Sequence, residues 1–578
     1  MTAVPGRRSE TLFWPLIAGL CLLLVSAGGV TAMYAFRRFD HRLLDTLLPN
    51  YFAYRQDLIA APVAILFLLA MILLRPPRLS LPAISPRAAA ICALAVAIVA
   101  VAGNHWLFGG YALSRDEYMA DFDATILTLG SPFASVALPW RSMVDALQPD
   151  FLFRTADGSL WSSSYLPGNA AIRALFGLIG ARWLASPALA AAAAGLVYAI
   201  ARKLEPDDPR FAAIALLLFA TSAQFLITAM TPYAMTAHLA LNLAWMWLAL
   251  HDRPWSRTLA VLVSLLACGL HQMAFHPLFV APFLPWLWLS GRRRVAILYA
   301  LAVALSALFW LNYWSIALAL AAPGAGVAGL LHVPLSDRIE AFVKYAWNLR
   351  SLFVGADNLL RLLTWQNPLL WPLLLAGLFS LRRQPRISWC LLGGIVLTIG
   401  AMLLLMPYQG HGWGYRYLHG LLGSFALLGA YGWRAVAAAR DGEARRFGGW
   451  LTLSALLSLA LLLPLRAYQA AAFAAPYREA DARLSRIDAD AVIVDDAGRW
   501  YATDLVRNDP DLANRPLRFR ASGLTWRATA RLCGRYRVQV VSRSSPELSG
   551  LRLVAFRDEL RASQLRRQIL RQVGCRRS

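Results

Sequence analysis

From Leu12 to about Arg466 the chain is a succession of apolar runs, most of them near the length of a bilayer's hydrocarbon core, and arginine is concentrated in every second connection between them. A segment that crosses lipid must satisfy its backbone internally, so each run reads as a helix, of which about 20 residues span the core. Thirteen runs stand near 12–36, 58–74, 88–108, 183–201, 211–229, 234–250, 258–272, 275–290, 295–322, 368–380, 388–406, 418–433 and 450–466. The connections carrying Arg7/Arg8, Arg75/Arg78/Arg87, Arg202/Lys203/Arg210, Arg253/Arg257, Arg292/Arg293/Arg294, Arg382/Arg383/Arg386 and Arg434/Arg440/Arg445/Arg446 alternate. A single topology therefore puts all of them on the cytoplasmic side. By parity the loops 109–182, 323–367 and 407–417, and the tail from about 467, lie on the outer face.

Composition agrees with a polytopic α-helical membrane protein: 58% of the residues are hydrophobic and 15% charged, against about a quarter charged in soluble domains. The net charge of +24 does not point to nucleic acid. Only Lys203 and Lys344 are lysines, and the arginines are spread over many short loops instead of forming one basic stripe. Arg7 and Arg8 precede a run too long for a cleaved signal, which reads as a retained anchor. The expected location is a bacterial inner or plasma membrane, crossed many times, with the C-terminal domain periplasmic or extracellular. No phosphate-binding loop, dinucleotide fingerprint, metalloprotease helix or nucleophile elbow occurs, so direct use of nucleotide energy is not expected.

The organisation expected is two N-terminal transmembrane helices (1–87), a transmembrane core (88–466) with the long outer loop 109–182, and a small external α/β domain (467–578). In that last part polar helical stretches at Tyr468–Ile487, Thr525–Cys533 and Gln564–Gln572 surround strand-like runs at Ala491–Val494, Arg537–Val541 and Leu551–Phe556. Cys533 and Cys575 are its only cysteines, and a disulfide between them is permitted in an oxidising compartment.

Three outer segments carry ionisable groups. Four carboxylates, Asp116, Glu117, Asp121 and Asp123, fall within eight residues just beyond the third run. Adjacent carboxylates at a membrane interface repel and are partly desolvated, which makes one of Asp116 and Glu117 a candidate proton acceptor. Asp121 and Asp123 diverge on a helix, so at least one is expected to be solvated. Further on, Trp161, Tyr165 and Pro167-Gly168 read as a turn opening a helix that lies at the interface. Last, Gly410-His411-Gly412-Trp413-Gly414-Tyr415-Arg416-Tyr417-Leu418-His419 leads into the twelfth run; Arg416 and His419 lie one turn apart, and an arginine there needs an anion such as a lipid phosphate. His238, His271 and His276 lack metal-ligand spacing and read as polar residues of the bundle interior.

An acidic pair after a span in a long outer loop (Ser114-Arg115-Asp116-Glu117-Tyr118), a Pro-Gly opening a juxtamembrane helix (Tyr165-Leu166-Pro167-Gly168) and a late Gly414-Tyr415-Arg416-Tyr417 together resemble the GT-C glycosyltransferases. The resemblance covers roughly residues 88–433 and is narrowest to the branch of protein O-mannosyltransferases, aminoarabinose transferases and lipopolysaccharide galacturonosyltransferases. Two spans precede the family's usual first helix, and Leu166 stands where a second proline is common. The resemblance implies an inverting transferase that moves a sugar from a polyprenyl-phosphate donor to a hydroxyl of a glycan, lipid or protein acceptor, with membrane lipids around it and no nucleic acid. It implies Asp116 as base, Glu117 as orienting or tuning group, Arg416 on the donor phosphate, and Tyr165, His419, Tyr415 and Asp123 as further contacts of the substrates. No cofactor and no metal are expected, although family members differ in metal use. The alternatives are a transporter or flippase of lipid-linked sugars, an O-antigen ligase-like enzyme dependent on arginines and a histidine, and an accessory protein docking through its external domain. Transport predicts ionisable residues near the middle of spans and inverted repeats, and the sequence has neither.

Overall fold

The computed structural model describes residues 7–38, 51–74, 76, 78–147, 151–324, 327–328, 349–406, 409–437, 441–497 and 502–551. Every expected apolar run coincides at least in part with a helix there. Among the described residues seven helices are long and apolar enough to cross a membrane: Pro15–Met33, Ala53–Leu73, Pro86–Leu107, Arg182–Leu204, Arg293–Ala321, Ile387–Leu405 and Phe447–Ser485. An eighth span arises if Pro209–Ala220 and Ala223–Ala229, bent by 62° against each other, are taken together. The break has a local cause, because the Ser222 side chain caps a new helix by accepting from the Phe225 N–H.

The other five expected runs are shorter helices. Met235–His251 has 17 residues, Leu422–Ala437 16, Pro254–Cys268 15 and Leu370–Phe379 10, while 275–290 divides into Phe275–Val280 and Phe283–Leu289. At 1.5 Å per residue none reaches the ~30 Å of a hydrocarbon core. Among the described residues seven helices, or eight with the bent pair, are thus long and apolar enough to span singly, and the shorter helices pack among them.

Contacts between connections sort as the arginine alternation requires. Arg434 pairs with Glu205, Arg292 with Asp252 at 2.8 Å, and the Tyr198 hydroxyl donates to the Ile84 carbonyl, all at the ends assigned to the cytoplasm. At the opposite ends the Asn104 amide donates to the Met230 carbonyl, the Gly168 N–H to the Gly269 carbonyl, and Gln224 bonds the Tyr415 backbone.

The outer loops build a layer of their own. Strands β1 (Ala134–Ser135), β2 (Leu152–Thr155), β3 (Leu160–Ser163) and β4 (Val327–Ala328) form an antiparallel sheet in the order β1-β3-β2-β4, so the loops 109–182 and 323–367 share one sheet. The last long helix continues past Arg466 to Ser485 and leads into the C-terminal part. Beyond it, β5 (Ala491–Val494), β6 (Leu517–Arg520) and β7 (Val538–Val541) form a parallel sheet in the order β6-β5-β7, flanked by the helix Trp526–Arg535. The expected strands at Ala491–Val494 and Arg537–Val541 are present, and β6 is an addition. The expected strand Leu551–Phe556 (save Leu551) and helix Gln564–Gln572 lie outside the described residues. Cys533 is disulfide-bonded, and Cys575 also lies outside them.

This domain does not hang free. Phe122 and Trp161 of the outer loop share one buried cluster with Ile493, Phe519 and Leu532. The Trp161 indole N–H donates to the Pro510 carbonyl at 2.8 Å.

Candidate functional site

The site is organised by the helix Arg115–Thr128, whose first turn holds both residues of the acidic pair, where the helix dipole favours carboxylates. Positions 116, 119, 120 and 123 fall on one helical face, and Asp116, Met119, Ala120 and Asp123 line a small pocket with Ser163, Tyr165, Asn169 and His271. Arg115 and Tyr118 turn to the C-terminal domain: Arg115 Nε donates to Asp504 at 2.8 Å, and the Tyr118 hydroxyl to the Asn508 carbonyl at 2.7 Å.

Asp116 joins all three outer motifs. One carboxylate oxygen accepts from the Tyr165 hydroxyl and the other from the Arg416 guanidinium. The side chains of Asp116 and Arg416 are only 15% and 11% exposed, so the ion pair is largely shielded from water. Burial is the largest single influence and works to raise the Asp116 pKa, but Arg416, His271 and the Tyr165 hydrogen bond together outweigh it and hold the carboxyl well below the usual carboxylate range. Burial and the Asp116 charge push the Tyr165 hydroxyl far up. The Arg416 Nε is buried without a hydrogen-bond partner among the described residues.

Local chemistry places each partner. Pro167-Gly168 opens the helix Gly168–Gly177, as expected, and a Cβ at Gly168 would stand 2.6 Å from the Gly269 carbonyl, so only glycine allows this close approach. The approach brings the turn after Cys268 against the helix start, and the His271 ring lies 4.0 Å from the Tyr165 ring, centroid to centroid. Arg416 is positioned by its backbone. The Gln224 side chain bonds both the N–H and the carbonyl of Tyr415, and the Arg416 N–H donates to Gln409 Oε1 at 2.8 Å. Gly414, at φ +74°, passes so close to Gln224 that a Cβ would lie 2.4 Å from its Oε1. Tyr233 ties this loop to the acidic helix, accepting from Ser114 Oγ and donating to the His411 carbonyl, both at 3.2 Å.

The remaining candidates separate from this centre. Glu117 is 1% exposed and its Oε2 accepts from the Leu113 N–H at 2.8 Å. Burial raises its pKa to about 8, with the Leu113 N–H working against the rise, so near neutrality it is a protonated residue of the helix start. Asp123 accepts from the Ser163 N–H and the Ser162 hydroxyl, fastening β3 to the acidic helix, and burial raises its pKa to about 6. Asp121 pairs with Arg173 at 2.7 Å. Of the two, Asp123 is buried, and Asp121, paired with Arg173, keeps 28% of its side chain exposed and is the one that meets solvent. Tyr415 packs against Tyr417, and His419 is fully buried with no hydrogen bond to either ring nitrogen among the described residues. Neither lines the Asp116 pocket.

Of the histidines assigned to the bundle interior, His238 and His276 are buried there, whereas His271 lines the site. Gln224, Tyr233, Gln409 and Asn169 were also not anticipated; their types are common in outer turns and their spacing carries no pattern. Among the described residues no group of three or more His, Cys, Asp or Glu side chains is placed to hold a metal ion.

No protein-family model matches the chain, and no curated protein matches it. Solved structures similar to it include ArnT from Cupriavidus metallidurans in the apo state, at 11% identity and TM-score 0.45 over 70% of this chain and 82% of that one. ArnT from the same organism bound to undecaprenyl phosphate is similar at 11% identity and TM-score 0.46, over 82% of this chain and 88% of that one.

Proposed function

We propose that the chain is an inverting glycosyltransferase of the outer membrane face that uses a sugar carried on a polyprenyl phosphate. The observation that carries this reading is the meeting of Asp116, Tyr165 and Arg416, from three outer segments far apart in sequence, in one shielded pocket. A guanidinium that already holds a carboxylate has the geometry to take a phosphate instead, and its buried Nε supplies a further donor. A lipid phosphate is itself a good leaving group. The chemistry then asks the protein for two things, stabilisation of the charge that grows on the departing phosphate and removal of the acceptor hydroxyl's proton. Arg416 supplies the first. Asp116 is the anionic centre beside which the second takes place, with Tyr165 orienting it.

The buried ion cluster elsewhere in the bundle does not favour transport. Asp57 pairs with Arg466 at 2.9 Å and lies 3.8 Å from Arg361, so these charges are taken up by one another and tie helices together.

The test is transfer by the purified full chain in nanodiscs. Synthetic 14C-labelled pentoses and hexoses on undecaprenyl phosphate serve as donors, and membrane lipid, glycan and protein extracts as acceptors. Wild type is expected to transfer from one donor, with Asp116→Asn and Arg416→Ala reducing transfer by ~100-fold or more. Absence of transfer from every donor, or full activity in both variants, refutes the reading.

A further inference from the structure

Resting on that reading, the arrangement leaves a question about the proton. Both oxygens of Asp116 are engaged, one by Tyr165 and one by Arg416, and a carboxylate so held has little basicity to offer. We propose that His271 is the group that receives the acceptor proton, with Asp116 as the anion that stabilises the imidazolium formed.

Four observations bear on this. His271 lines the same small pocket as Asp116. Its ring rests on the Tyr165 ring at 4.0 Å, which fixes its plane against the residue that orients Asp116. No hydrogen bond ties its ring nitrogens to any described residue, unlike His276, whose two nitrogens lie 2.8 Å from Asn242 and 3.1 Å from Ser264. The imidazole is also neutral in the resting site: burial lowers its pKa to about 4, Asp116 works to raise it and Arg416 to lower it. A neutral, unbonded imidazole beside a carboxylate has its lone pair available. When a donor phosphate arrives at Arg416 it adds negative charge next to His271 and offsets that guanidinium, so basicity rises only in the loaded site.

The step balances. The acceptor oxygen forms a bond to the anomeric carbon as its proton passes to a His271 ring nitrogen. The bond from the anomeric carbon to the phosphate oxygen breaks, and its electron pair leaves on the polyprenyl phosphate held by Arg416. The imidazolium then returns its proton to water on the outer face.

His271→Ala and Asp116→Ala in the full chain separate the roles. The readouts are transfer from the labelled donor that wild type consumes and binding of 32P-labelled undecaprenyl phosphate; His271→Gln controls for packing against Tyr165. General-base loss is expected to lower transfer ~100-fold in both His271 variants, with undecaprenyl phosphate binding within threefold of wild type. Imidazole is expected to restore His271→Ala at least tenfold and to leave His271→Gln unrestored. Retention of more than a third of wild-type transfer by His271→Ala overturns the proposal, as does failure of imidazole to rescue it. Rescue of Asp116→Ala by formate with His271→Ala unaffected by imidazole returns the base to Asp116. Wild type inactive with every donor instead refutes the reaction class.

Discussion

Replacing Glu117 by glutamine separates the two members of the acidic pair. Folded Glu117 keeps its proton up to about pH 8, whereas the unfolded chain releases it near the ordinary 4.5. Folding therefore takes up a proton between these values, and wild-type stability falls as pH rises through that window. At 1.36 kcal/mol per pH unit the full difference is ~5 kcal/mol above pH 8 and ~3 kcal/mol at pH 7. Glutamine imitates the protonated acid. Its carbonyl can still accept from the Leu113 N–H, and it has nothing to ionise. The stability of Glu117→Gln relative to wild type should thus rise by ~1.4 kcal/mol per pH unit between pH 5 and 8 and level off on either side. Unfolding of the purified protein in matched detergent at pH 5, 6, 7 and 8, followed by tryptophan fluorescence, reads this difference. Transfer activity near neutral pH is expected to survive, in contrast to Asp116→Asn. A difference between the two proteins that does not change with pH, or that shrinks as pH rises, refutes the account of Glu117 as a buried, protonated residue.

The other predictions address what holds the site. Arg507 donates to the Ala112 carbonyl and lies over the rings of Tyr111 and Tyr118, at 4.0 and 4.9 Å from their centroids. Arg507→Ala should lower transfer ~10- to 100-fold through misplacement of the acidic helix while leaving binding of 32P-labelled undecaprenyl phosphate unchanged, and equal loss of both contradicts this. Arg466 is fully buried and bonds Asp57, Thr364 and Gln469. Arg466→Met strands a buried carboxylate at a cost of ~3–5 kcal/mol, seen as a lower thermal midpoint, and Asp57→Asn in the same chain should recover part of it. A Cβ at Gly432 would stand 1.7 Å from the Leu373 carbonyl. Gly432→Ala therefore forces apart the helices Leu370–Phe379 and Leu422–Ala437, and little monodisperse protein should be recovered.

What the sequence made legible follows from which forces act locally. Apolar runs and alternating arginines are set by the bilayer, and each run coincides at least in part with a helix. Asp116, Tyr165 and Arg416 could be nominated together because each lies at a motif on the same side. Which carboxylate does what could not be read, since Asp116 and Glu117 are neighbours and differ only in that one meets Arg416 and the other Leu113. Which of Asp121 and Asp123 meets solvent could not be read, because Ser162 and Ser163 reach Asp123 from a strand 39 and 40 residues away. The sheet β1-β3-β2-β4 escaped because its strands are two to four residues long, too short for an alternation to register. His271 stands in a turn with no partner at helical spacing; only the close approach of Gly168 to Gly269 brings it to Tyr165.

The C-terminal domain's place follows from the two faces of the acidic helix. One face, through Asp116 and Asp123, looks into the pocket above the membrane helices; the other, through Arg115 and Tyr118, is bonded to residues 504 and 508 of the domain. A helix gripped on both faces cannot turn about its axis without breaking one set of bonds, and a turn of one residue, about 100°, would carry Asp116 away from Arg416. The seam is tight elsewhere too: Asn508 bonds the Leu147 carbonyl at 2.8 Å, and a Cβ at Gly523 would lie 2.5 Å from the Asp145 carbonyl. A module meant only to dock another protein would not need its segment 503–510 laid against the start of the helix that bears Asp116. Removal of the domain is therefore expected to abolish transfer, although none of its described residues lines the pocket.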